Sequence, residues 1–194
     1  MKRNLYLFLT RTDSIFSKAI YYITRDKYTH IAISLVESFR EMYSFGRRNP
    51  AFALPAGFTR EDIFTGFFVK NNHTPCMILK LEVSYHTYRQ IQNRLLNLYQ
   101  TRYEYKYSIL GAICCKLGIS CKREKHYFCS QFIIELLQQE NLIHKQVNGA
   151  LIRPEQIAKL LEDSKIFEGF VCDLRQNALT EAEESGCDVM AVVS

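Results

Sequence analysis

Tryptophan is absent from the 194-residue chain, as are paired Cys-x-x-Cys arms, and no apolar run reaches membrane-spanning length. With no tryptophan, twelve tyrosines and thirteen phenylalanines carry the aromatic bulk, enough to fill a core and to line a substrate cleft. The first apolar stretch, Leu5 to Leu9 in "MKRNLYLFLTRTD", is too short for a secretion signal, and Arg11 and Asp13 follow at once. "YSILGAICCKLGIS" is interrupted by Lys116 and falls short of a spanning helix, so no transmembrane segment and a cytoplasmic location are expected. The seven cysteines, 76, 114, 115, 121, 129, 172 and 187, are odd in number and irregular in spacing. Free thiols are therefore expected rather than a disulfide framework. Cys121, His126 and Cys129, even with Cys114 and Cys115, lack the paired arms of a structural zinc site, so no metal is expected.

Hydrophobic residues make up 47% and charged residues 23%, a balance that supports one globular domain with a real core. The net charge is +5, but residues 176–194 carry Glu181, Glu183, Glu184 and Asp188 and no Lys or Arg, which leaves +9 on the rest. A basic body favours anionic partners through long-range attraction. The positive residues are nevertheless scattered and no nucleic-acid motif is present, so a nucleic-acid partner is not expected. A domain over 1–175 and a weakly ordered acidic tail over 176–194 follow from this division.

Hydrophobic periodicity then assigns elements. "NLYLFLTR" and "HIAISLV" predict strands, the second continuously apolar and so buried, with "EMYSFG" as its antiparallel partner. "SIFSKAIYYIT" predicts a helix capped by Ser14. "RRNPAFALPAGFTRED", with Pro50, Pro55 and Gly57, predicts a long irregular segment whose Phe52, Leu54 and Phe58 border a cleft. "TGFFVK" and "CMILKLEV" predict two more strands. "YHTYRQIQNRLLNLYQ", "YSILGAICCKLG", "SQFIIELLQQE" and "RPEQIAKLLEDS" predict helices, and "KIFEGFV" predicts an edge strand. Strands and helices without regular alternation place the chain in the α+β class.

The chemistry gathers around "HYFCSQFIIELL". Counting from Cys129, Phe132, Ile133, Leu136 and Leu137 fall at the third, fourth, seventh and eighth positions, so Cys129 opens the apolar face of its helix. That placement suits a buried packing cysteine. It also sets a sulfur at a helix start, where free N–H groups and the macrodipole favour a nucleophile. Such a nucleophile needs a base. His73, His86, His126 and His144 stand in polar contexts, whereas His30 opens an apolar strand, where an imidazole has no packing reason to be.

"YTHIAISL", "EMYSFGRRNP" and "YFCSQFIIELL", in that order, resemble the circularly permuted branch of the NlpC-type papain-like cysteine hydrolases over roughly residues 4–170. This bacterial, YiiX-like group is distantly related to lecithin retinol acyltransferase. The resemblance implies a permuted papain-like fold, with a mainly antiparallel sheet packed on helices. It makes Cys129 the nucleophile and His30 the general base, with no cofactor. A third polar residue from the neighbouring strand usually orients the histidine; "EMYSFG" offers Ser44 and Glu41, on opposite faces of a regular strand. The Asn-Cys-Glu-His motif of the acyltransferase relatives is absent, which favours hydrolysis of an amide, peptide or thioester bond. The partner is then a small-molecule, peptide or lipid substrate. Lipid-directed acyl transfer on the same scaffold, or a non-catalytic binding module, are the alternatives.

Overall fold

The computed structural model describes residues 1–11, 26–49, 54–143 and 145–184, with the side chains of the last helix as far as Asn177. The expected helix at 14–24, Phe52, His144 and residues 185–194 lie outside the described residues. Among the described residues there are eight strands and six helices, an α+β arrangement. None of these helices is long and apolar enough to cross a membrane.

The strands are β1 (Lys2–Thr10), β2 (His30–Ser34), β3 (Met42–Arg47), β4 (Ala56–Glu61), β5 (Pro75–Ser84), β6 (Lys106–Tyr107), β7 (His126–Tyr127) and β8 (Lys165–Phe170). The helices are α1 (Gly66–Lys70), α2 (Tyr85–Gln100), α3 (Ile109–Lys116), α4 (Cys129–Gln139), α5 (Pro154–Leu160) and α6 (Val171–Glu184). All strands join one sheet in the order β7-β6-β4-β3-β2-β1-β5-β8, antiparallel except for the parallel β6–β7 pair.

Continuous apolarity in the central strands reflects burial on both faces. In β1, Leu5, Leu7 and Leu9 enter one core cluster with Ile91 and Leu95 of α2 and Phe132 and Ile133 of α4. Tyr6 and Phe8 enter a second cluster on the other face with Phe39, Ile63, Phe68 and Val171. Truncating any of those leucines to alanine would cost about 2–5 kcal/mol.

Helix starts carry their own signals. The Ser84 hydroxyl accepts the Thr87 N–H at 3.0 Å ahead of α2. Pro154 opens α5, where the Gln156 side chain accepts the Arg153 N–H at 2.9 Å.

Two segments differ from the sequence expectation. "TGFFVK" forms α1 rather than a strand: Gly66 takes a φ of +58°, which starts the turn, and Phe68 turns inward, its ring 5.5 Å from that of Phe8. The stretch expected to be irregular contains β4, which pairs with β3 along its whole length. Gly57 of β4 is required by a close approach. A Cβ there would lie 2.4 Å from both Arg48 Nη2 and the Tyr105 carbonyl oxygen. At the other end of the chain, α6 runs across the expected boundary at 175/176 as far as Glu184.

Candidate active site

His30 stands at the first position of β2, held in place by the Thr29 N–H bond to the Thr10 carbonyl at 2.9 Å. Cys129 stands at the first position of α4, after the extended Phe128, and no side chain caps that end. Burial of eight of the eleven α4 residues anchors the helix against β2 and β3, and the Ser130 hydroxyl donates to the Ile152 carbonyl at 2.7 Å. Cys129 is only 3% exposed and belongs to the core cluster of Phe132 and Ile133, so it meets the packing requirement as well.

The two sequence-predicted residues come together. His30 lies within electrostatic reach of the Cys129 side chain and is hydrogen-bonded to Glu61. Its Nε2 lies 2.9 Å from Glu61 Oε1 and 3.3 Å from Oε2, a close approach between side chains only 12% and 17% exposed. Burial alone would lower the imidazole's pKa. The Glu61 charge and the hydrogen bonds to Cys129 and Glu61 overcome it and push His30 up to about 10. Burial would likewise raise the Glu61 carboxyl, but the charge and hydrogen bond of His30, the Ser44 hydroxyl and Arg47 hold it below its ordinary value.

The third polar group therefore comes from β4, one strand further than expected. Ser44 lies one step behind the imidazole: its hydroxyl donates to Glu61 Oε1. Glu41 is elsewhere. It accepts from the Tyr43 hydroxyl, pairs with Arg60 at 3.7 Å and is 45% exposed, so it does not orient His30. The register explains the difference. β3 and β4 pair Met42 with Glu61 and Ser44 with Thr59, which sets Ser44 and Glu61 on one face. Gly46 leaves the room they need, since a Cβ there would sit 3.2 Å from Ser44 Oγ, 3.3 Å from Glu61 Oε1 and 3.4 Å from His30 Cε1.

Tyr107 is a further member that periodicity did not reveal. Parallel pairing of β6 with β7 sets Tyr107 level with Tyr127, and the Ser108 N–H bonds the Tyr127 carbonyl at 2.9 Å. The phenol thus sits near Cys129. Burial first, then the charges of Cys129 and Cys115, raise its pKa well above the usual value.

A cleft of about 890 Å³ is bordered by His30, Glu61 and Tyr107, while Cys129 is not among the residues that line it. The segment 54–62 lines it, with Leu54 and Pro55 at the rim, although Phe58 is fully buried among Phe45 and Phe132. His126 is turned aside, with its Nδ1 2.7 Å from the Glu124 carbonyl. Among the described residues, no group of three or more His, Cys, Asp or Glu could hold a metal ion.

Compared with known proteins, the chain matches no family model, no curated protein and no solved structure.

Proposed function

We propose that the chain is a cysteine hydrolase of the permuted papain-like kind, cleaving an amide, peptide or thioester bond through an acyl-enzyme. The observation that carries this reading is buried His30, bonded to the Glu61 carboxylate and within electrostatic reach of the Cys129 sulfur. A core histidine needs one acceptor. This one has a carboxylate on its Nε2 and a sulfur nearby, the groups that an orienting acid, a base and a nucleophile require.

In the first half-reaction the His30 imidazolium already holds the Cys129 proton, and the sulfur attacks the carbonyl carbon. The oxyanion meets the N–H groups at the start of α4, which have no side-chain cap, and the nearby Tyr107. Collapse of the tetrahedral intermediate expels the amine or thiol, protonated by the imidazolium, and leaves a thioester on Cys129. In the second half-reaction His30 accepts a proton from water, whose oxygen attacks the thioester. The carboxylic acid leaves and the Cys129 sulfur is freed, with the proton again on His30. Glu61 holds its carboxylate against the imidazole throughout and stabilises the charged ring.

A panel of acyl amides and thioesters, followed by intact-mass spectrometry, tests this directly. The expected result is turnover together with a mass increase equal to the acyl group, mapped to Cys129 and absent from Cys129→Ala. Acyl transfer to an added amine, at the expense of free acid, would make it an acyltransferase. No adduct and no turnover across the panel would leave a binding module.

A further inference from the structure

Five arginines line the cleft that His30 and Glu61 border: Arg40, Arg47, Arg48, Arg60 and Arg102. The two carboxylates on the same wall are engaged, Glu61 with His30 and Ser44, and Asp62 with the Phe64 N–H at 2.8 Å. Arg60 pairs with Glu41. Among the described residues, the other four have no carboxylate within ion-pair distance.

Their flat faces are occupied by rings. The guanidinium of Arg40 lies 4.4 Å from the centre of Phe64 and that of Arg47 4.5 Å from Phe67. Arg102 is similarly placed over Tyr99 and Tyr103. A ring against a guanidinium helps to fix it, and the guanidinium offers a planar fork of N–H donors to a carboxylate or phosphate.

Arg40 shows the consequence, since its Nη2 is buried without a hydrogen-bond partner. A buried donor left in that state is costly unless a ligand or water supplies the acceptor. Arg47 is half-buried and close enough to Glu61 for their charges to interact, and burial lowers its pKa. Arg48 braces the cleft wall: its Nη2 donates to the Arg102 and Tyr105 carbonyls at 2.6 Å, while its Nε is likewise buried without a partner.

We infer that the cleft selects an acyl substrate bearing an anionic group, a carboxylate or a phosphate, received by the cleft-lining Arg40 and Arg47. This rests on the hydrolase reading for the word substrate, but the anion preference is measurable without catalysis. Both anions offer the paired oxygens that a guanidinium edge binds, so the two chemistries share one site.

The test uses full-length Cys129→Ala protein, which binds without turning over. Calorimetric titration compares three N-benzyl amides of equal length: pentanoyl (neutral), glutaryl (carboxylate) and 4-phosphonobutanoyl. At least one anionic probe should bind about tenfold or more tighter than the neutral one, with an advantage that shrinks as salt is raised. The order of the glutaryl and phosphonate probes identifies the preferred anion. Arg47→Gln and Arg40→Gln should each remove most of that advantage and leave neutral-probe affinity within about twofold. Arg47→Lys, which keeps charge but not the fork, should restore part of it and guards against a folding defect. Equal binding of all three probes, no binding by any, or an advantage that survives both Gln variants would overturn the inference. Loss of Cys129 acylation in the unmodified chain would instead count against the hydrolase reading alone.

Discussion

Glu61→Gln is the substitution that separates an orienting carboxylate from a structural one. Glutamine keeps the shape and can still accept the Ser44 hydroxyl, but it removes the charge 2.9 Å from His30 Nε2. With Glu61 present, His30 stands at about 10 against an ordinary 6.5, even though burial works the other way. At about 1.4 kcal/mol per unit, that rise corresponds to a linkage on the order of a few kcal/mol. Its sign follows from the direction of the shift. A raised histidine contributes stability fully below pH 6.5, and that contribution is lost as pH climbs through about 10. Glu61, held low, contributes above its ordinary value of 4.5 and loses that contribution in acid. The pair is therefore worth most between 4.5 and 6.5. Glu61→Gln should be strongly destabilised near pH 6 and approach the parent protein above about pH 10. Imidazole resonances followed by NMR should show His30 titrating several units lower in the variant. Turnover should fall by about 100- to 10,000-fold, the range for loss of positioned acid–base catalysis. A parent His30 that titrates near 6.5, unchanged by Glu61→Gln, would refute the reasoning.

Ser44 of β3 and Glu41 just before it should separate in mutagenesis. Ser44→Ala removes one hydrogen bond to a carboxylate that still holds His30, so turnover should drop by about tenfold or less. Glu41→Gln should leave kcat within about twofold, because Glu41 faces Tyr43 and Arg60. Gly46→Ala puts a methyl group against Ser44, Glu61 and His30 at once. Its turnover, measured by steady-state kinetics, should fall by more than its thermal midpoint would account for.

How far the site could be read in the sequence depends on how local each signal is. His30 announces itself because an imidazole at the head of "HIAIS" has no packing reason to be there, and Cys129 because four apolar residues follow it at helical spacing. Glu61 gives no such sign. Its strand, "AGFTRE", follows prolines and holds a glycine that local rules read as a breaker. Gly57 is there because Arg48 and the Tyr105 carbonyl approach the backbone, which only the folded sheet reveals. Tyr107 is hidden for a related reason, since its place depends on a two-residue parallel pairing with β7. "TGFFVK" misleads through composition: a short apolar run fits a strand or a helix turn, and tertiary packing of Phe68 on Phe8 decides. The arginines looked scattered along the chain, and only the meeting of β3, β4, α1 and the turn after α2 gathers them in one cleft.

The most direct measurement of the central claim is site-resolved alkylation with iodoacetamide in the folded protein at about pH 6, read by peptide mapping. Accessibility and chemistry predict opposite orders. Cys114, Cys121 and Cys172 are partly exposed, whereas Cys129 is buried, so exposure alone ranks Cys129 among the slowest. Cys76 and Cys115 are also buried, and burial pushes their thiols up to about 12 and 11. If Cys129 is the nucleophile paired with His30, it should label well ahead of all of them, and His30→Ala should abolish that lead. If Cys129 labels no faster than Cys76 or Cys115, and His30→Ala changes nothing, it is a packing residue of the core and the hydrolase account is wrong.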